Sequence, residues 1–158
     1  MNFELFLESD LSVESLAEII REIICTELNE EVSVHNDEEE IVIGTEYFAL
    51  ALELVDISDI KFVRNHYQID VSICIRVQLF GNTLDQGLEI MFKVIGKILK
   101  KQYVGNLLFL EDGSDQLIRK ENGQLIINSD LNQYQIKYLT QSLLNLLDHS
   151  YVKEILKK

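Results

Sequence analysis

The sequence predicts an α+β fold in which helices pack on one face of a largely antiparallel sheet. Three observations carry this. Strand-like and helix-like segments follow one another in the order strand, helix, strands, helix, strands, helix. The apolar spacing switches between a period of two and a period near 3.6. Turn pairs such as Asp112-Gly113 and Asn122-Gly123 separate the late strands. The order of elements is ferredoxin-like, with an extra C-terminal helix.

Phe3, Leu5 and Leu7 alternate with Glu4, Phe6 and Glu8, which predicts a first strand with one buried face. Ser12 is placed to cap a helix over 13–28, because Val13, Leu16, Ala17, Ile20, Ile23, Ile24 and Leu28 repeat at three-four spacing. Segments 32–36 and 40–44 flank the polar cluster Asn36-Asp37-Glu38-Glu39 and predict a hairpin. Residues 47–55 predict a further strand.

In the segment 69–79, Ile69, Val71, Ile73, Ile75, Val77 and Leu79 alternate with Asp70, Ser72, Cys74, Arg76 and Gln78. This predicts a strand with one core face and one wet face. Thr83 and Gln86 have capping-box spacing before a helix reaching about Lys101. Lys97, Lys100 and Lys101 then oppose the negative end of its dipole. Segments 107–110, 116–120 and 124–128 form a meander, and Asp130 is placed to cap a last helical segment with a break near His149 and Ser150.

A chain of 158 residues fits one domain, 1–158, with an α/β core over 2–128 and a helical segment over 129–158. With 47% hydrophobic and 26% charged residues, a folded core is expected. The acidic N-terminal segment reads as a strand and not as a secretory signal, and no apolar window spans a bilayer, so a cytoplasmic location is expected. Cys25 and Cys74 match no zinc or redox spacing and read as reduced packing residues.

The net charge of −13 is unevenly placed. Residues 1–60 hold 17 acids and one base, Arg21, for −16, while residues 61–158 hold 10 acids and 13 bases, for +3. Such a field repels nucleic acid and anionic membrane and attracts basic surfaces. Glu14, Glu18 and Glu22 repeat every four residues, a like-charged row that reads either as a solvated helix face or as part of a partner-binding surface. Asp37, Glu38, Glu39 and Glu40 at the hairpin tip are a second candidate patch, and Glu53, Asp56 and Asp59 a third.

Catalytic motifs are missing. His35, His66 and His149 form no metal-binding spacing, and no phosphate-cradling glycine loop or nucleophile elbow is present. The acids of 36–40 and 112–115 lack calcium-loop spacing. A non-enzymatic binding protein without a cofactor is therefore expected.

The opening strand Asn2–Glu8 with Asp10-Leu11-Ser12, the strand Asp70–Leu79, and the stretch Leu108-Phe109-Leu110-Glu111-Asp112-Gly113 through Leu117-Ile118-Arg119-Lys120 to Leu125-Ile126-Ile127-Asn128 resemble bacterial immunity proteins. Those are the cognate inhibitors in contact-dependent growth inhibition and related polymorphic-toxin systems. The resemblance covers residues 2–128 and implies a compact α/β protein that neutralises its toxin's catalytic domain in the cytoplasm. It carries over no contact residues. A basic nuclease is the preferred target, since acids can occupy positions its cleft reserves for phosphates. Two alternatives stay open: an acidic secretion chaperone, whose pattern looks like Leu16–Leu28 and the strands from Val32 to Val55, and a ferredoxin-like module binding a small ligand.

Overall fold

The computed structural model describes residues 1–156. Nine strands form a single sheet: β1 (Asn2–Ser9), β2 (Ser33–Asn36), β3 (Glu40–Gly44), β4 (Phe48–Glu53), β5 (Ile73–Leu79), β6 (Val104–Glu111), β7 (Asp115–Glu121), β8 (Gln124–Asn128) and β9 (Val152–Glu154). Their order across the sheet is β2-β3-β4-β5-β1-β6-β7-β8-β9. Every pair is antiparallel except β8 with β9. The helices are α1 (Val13–Leu28), α2 (Ile60–Tyr67), α3 (Leu84–Leu99) and α4 (Gln141–Leu146). The mixed class and the largely antiparallel sheet agree with the expectation.

The helices do not share one face. Leu16, Ile20 and Ile24 of α1, Met91, Phe92 and Ile95 of α3 and Leu143 and Leu144 of α4 join Phe3, Leu5 and Leu7 of β1 and Phe109 of β6 in the main core. Phe109 stacks on Phe3 at 5.2 Å and meets Phe92 edge-on at 6.5 Å. The intervening residues Phe6, Cys74, Leu108 and Leu110 point the other way and are buried under Val63 and Tyr67 of α2. Because side chains alternate along a strand, α2 covers the opposite face. The first strand and the fifth are thus buried on both sides over part of their length, not wet on one. Near-continuous apolar runs such as Leu5-Phe6-Leu7 and Leu107-Leu108-Phe109-Leu110 are the signature of that arrangement.

Helix α1 has the expected bounds, and Ser12 Oγ accepts from Ser15 N at 3.1 Å. At α3 the expected capping box does not form. Gly81–Thr83 makes a 3-10 turn that runs straight into the helix, so Thr83 lacks the extended backbone a cap needs and makes no side-chain cap bond. The lysines at the end of α3 do more than oppose a dipole: Lys97 pairs with Glu27 of α1, and Lys100 lies 2.5 Å from Asp148.

The strand expected over 69–79 starts only at Ile73. Ile69 and Val71 turn into the α2 core, whereas Ile73, Ile75, Val77 and Leu79 face the main one. The helix expected from Asp130 is broken up by local side-chain bonds. Asn132 Oδ1 accepts from Tyr134 N and Gln135 N at 2.8 and 3.0 Å, closing a turn that competes with helix. Thr140, and not Asp130, caps the short α4, and the segment finishes as strand β9. Of the helical segment expected over 129–158, Lys157 and Lys158 lie outside the described residues. Gly96 lets this segment close on α3, since a Cβ there would lie 2.6 Å from Leu147 O.

The two late turns behave as their residues demand. Asp112, Gly113, Asn122 and Gly123 all have positive φ, which at the two-residue Asn122-Gly123 connection is the requirement of a type I′ turn. Among the described residues no helix is long and apolar enough to cross a membrane.

Candidate functional site

The acidic tip between β2 and β3 is built by Asp37, whose Oδ1 accepts from Glu39 N at 2.8 Å and Glu40 N at 2.9 Å. Those two amides hold its carboxyl below the usual range. Leu54 N and Val55 N donate to Glu39 O at 2.8 and 3.3 Å, which stitches the tip to the segment after β4. In that segment Asp56 accepts from Ile60 N at 3.0 Å, and Asp59, in left-handed backbone, caps α2 through Phe62 N at 3.2 Å. Sequence patches 37–40 and 53–59 thus meet at one end of the sheet.

Apolar side chains stand among these acids. Val55 and Ile57 are each 49% exposed and Phe62 57%, with Phe62 stacked on His66 at 5.2 Å. The end of the sheet therefore carries exposed apolar groups beside acids, with Lys61, Arg64 and His66 of α2 flanking Phe62.

From this end a groove of about 490 Å³ runs over the part of the second sheet face that α2 leaves open. Its floor is set by the half-buried Val42, Ala49 and Ala51, short side chains that leave depth beside longer neighbours. Glu4, Glu40, Arg76 and Asp112 line it. Register explains the gathering: Val42 pairs with Ala51, Ala51 with Arg76, and Arg76 with Glu4, so one row crosses four strands on this face.

Arg76 is the hub. It pairs with Glu40, and its Nε lies 3.2 Å from Glu53 Oε2, an ion-pair contact whose angle falls short of a hydrogen bond. The Glu53 side chain is only 2% exposed, and it also accepts from Ile57 N, Ser58 N and Ser58 Oγ. It is a structural anchor of the loop into α2, not part of an exposed patch, because its carboxylate is consumed by these bonds. Burial pushes the Glu4 carboxyl above the usual carboxylate range, and Glu53 and Asp112 add to this against the opposing effects of Ser58 and Arg76.

Glu14, Glu18 and Glu22 lie elsewhere. All three are exposed on α1, which packs on the first sheet face, and Glu18 is held by Arg21 at 3.0 Å. The candidate acids are thereby split between two faces.

The sequence reading missed α2, Glu4, Arg76 and the groove. Ile60, Val63 and Tyr67 at helical spacing after Asp59 signal α2. The groove has no such signal, since only strand register brings its residues together. Among the described residues no group of His, Cys, Asp and Glu is arranged to hold a metal ion. In comparisons with known proteins, no family model, no curated protein and no solved structure matches the chain.

Proposed function

We propose that this chain is an immunity protein that neutralises a basic toxin domain, a nuclease first of all, by covering it with an acidic surface in the cytoplasm, without turnover of its own. The observation that carries the reading is the end of the sheet, where the tip Asp37–Glu39 is bonded to the segment that carries the exposed Val55 and Ile57 with Asp56 and Asp59, and Phe62 follows on α2. Apolar centres with polar rims are the usual anatomy of protein interfaces. Acidic rims accelerate encounter with a basic partner and reject acidic ones. Glu14, Glu18 and Glu22 lie on the other face and contribute to net charge rather than to this contact.

The frame beneath this surface is read as ferredoxin-like. With β2, β3, α2 and β7–β9 set aside as insertions, the chain order is β1-α1-β4-β5-α3-β6 and the sheet order β6-β1-β5-β4, all antiparallel. On this reading the insertions β2–β3 and α2 supply the binding end.

The test is rescue of growth when the chain is co-expressed with the product of its neighbouring gene. Protection by the wild type, and its loss with Phe62→Asp combined with Asp37→Asn, Glu38→Gln and Glu39→Gln, is the expected result. Full protection by that combined variant would reject this surface, and no protection by the wild type would reject the immunity reading.

A further inference from the structure

We propose that the groove between β3, β4, β5 and β1 receives an arginine side chain from an extended segment of the basic partner protein, its stem crossing the floor beside Ala49, Ala51 and Gln78 and its guanidinium reaching Glu4 and Asp112. This rests on reading the chain as a binder of a basic protein, and it adds where on the second face that partner is gripped.

Charge balance is the first argument. Glu4, Glu40 and Asp112 line the groove and Glu53 backs it, against the single guanidinium of Arg76. Arg76 pairs with Glu40 and Glu53 and only partly offsets Glu4, so Glu4 and Asp112 carry the groove's excess negative charge. They are close enough for Asp112 to affect the proton affinity of Glu4. An anion is excluded by this balance, and an incoming cation would relieve it.

Shape is the second argument. The volume of about 490 Å³ falls within the range of small-group sites, yet the groove lies open on a sheet face, which suits a side chain delivered by a protein. The short floor residues leave an apolar bed for the stem of the side chain, and the carboxylates of Glu4 and Asp112 match the guanidinium's fork of donors, which a compact ammonium does not use as well. Gly113 keeps the mouth open beside Glu4, since a Cβ there would lie 2.9 Å from Glu4 Oε1. The groove is also continuous through Glu40 with the acidic tip, so one partner can span both.

Amide chemical shifts of the intact chain, titrated with the capped peptide Ala-Arg-Ala-Arg-Ala, test this. Its counterpart with citrulline for arginine keeps the shape and removes the charge. The expected result is saturable shifts at Val42, Ala49, Ala51 and Gln78, with the citrulline peptide at least about tenfold weaker. Glu4→Gln with Asp112→Asn should weaken the arginine peptide about fivefold or more, while Glu14→Gln, Glu18→Gln and Glu22→Gln together leave it within about twofold, as screening across the molecule requires. Ala51→Arg, which plugs the groove, should abolish the shifts while the spectrum stays dispersed. Equal binding of both peptides, or unchanged binding by the Glu4/Asp112 variant, would overturn the proposal. Groove binding without growth rescue would reject the immunity reading alone, and rescue without groove shifts would reject the groove assignment alone.

Discussion

Arg76 on β5 reaches Glu40 of β3 and Glu53 of β4 with one guanidinium, its Nε 3.2 Å from Glu53 Oε2, so a single base ties two neighbouring strands to the loop that enters α2. Removing the buried partner leaves Arg76 with Glu40 alone and strands two backbone amides and the Ser58 hydroxyl. Glu53→Ala should cost about 3 kcal/mol, the low end for a broken buried pair because Arg76 can rehydrate at its exposed end. Urea unfolding measures this, and amide exchange at Ile57 and Ser58 should accelerate with it.

Glu4 gives a pH signature. Its folded-state pKa is raised, so at pH values below the ordinary carboxylate range both states are protonated and it costs nothing. The cost accumulates as pH rises through the ordinary value and is complete above the raised one. Glu4→Gln should therefore melt above the wild type at neutral pH, with the gap closing as pH falls to about 4. Thermal melts across that range read the difference directly.

The thiols should separate. Cys74 is buried beneath α2, and burial pushes its thiol far up, whereas Cys25 is half-buried on α1. A thiol reagent should modify Cys25 in native buffer and reach Cys74 only in denaturant.

Two hydroxyls at helix starts should behave oppositely. Ser12→Ala removes a made cap and should cost about 1 kcal/mol. Thr83 Oγ1 is buried and has no hydrogen-bond partner among the described residues, so Thr83→Val should be neutral or stabilising by up to about 1 kcal/mol in the same denaturation assay.

Much of the fold was legible because local patterns report local structure. The spacing of Leu16, Ile20 and Ile24 located α1, and Asp112-Gly113 and Asn122-Gly123 located two turns. What periodicity hid was the second layer. Alternation along β5 shows that Cys74 and Arg76 share a face, but not that α2 covers the first and leaves the second at a groove. Thr83 carried the right residue for a cap in a place where the preceding turn denied it the backbone. Of the candidate acids, charge alone located the exposed ones, yet strand pairing decides that Glu53 is buried, that Asp37–Glu39 adjoin Asp56 and Asp59, and that the α1 row faces away.

That division between faces provides the most direct test of the proposed partner contact. Charges on the far side of the sheet and its helix layer lie beyond the roughly 8 Å over which salt leaves fields intact at physiological strength. Association kinetics with the neighbouring gene's product should be measured at low and physiological salt for two variants, one with Asp37→Asn, Glu38→Gln and Glu39→Gln, the other with Glu14→Gln, Glu18→Gln and Glu22→Gln. The first should slow association about tenfold at low salt and flatten its salt dependence, and the second should change it less than about twofold at physiological salt. Equal slowing by both at physiological salt, or none by the first at low salt, would contradict a partner seated on the acidic end of the second face.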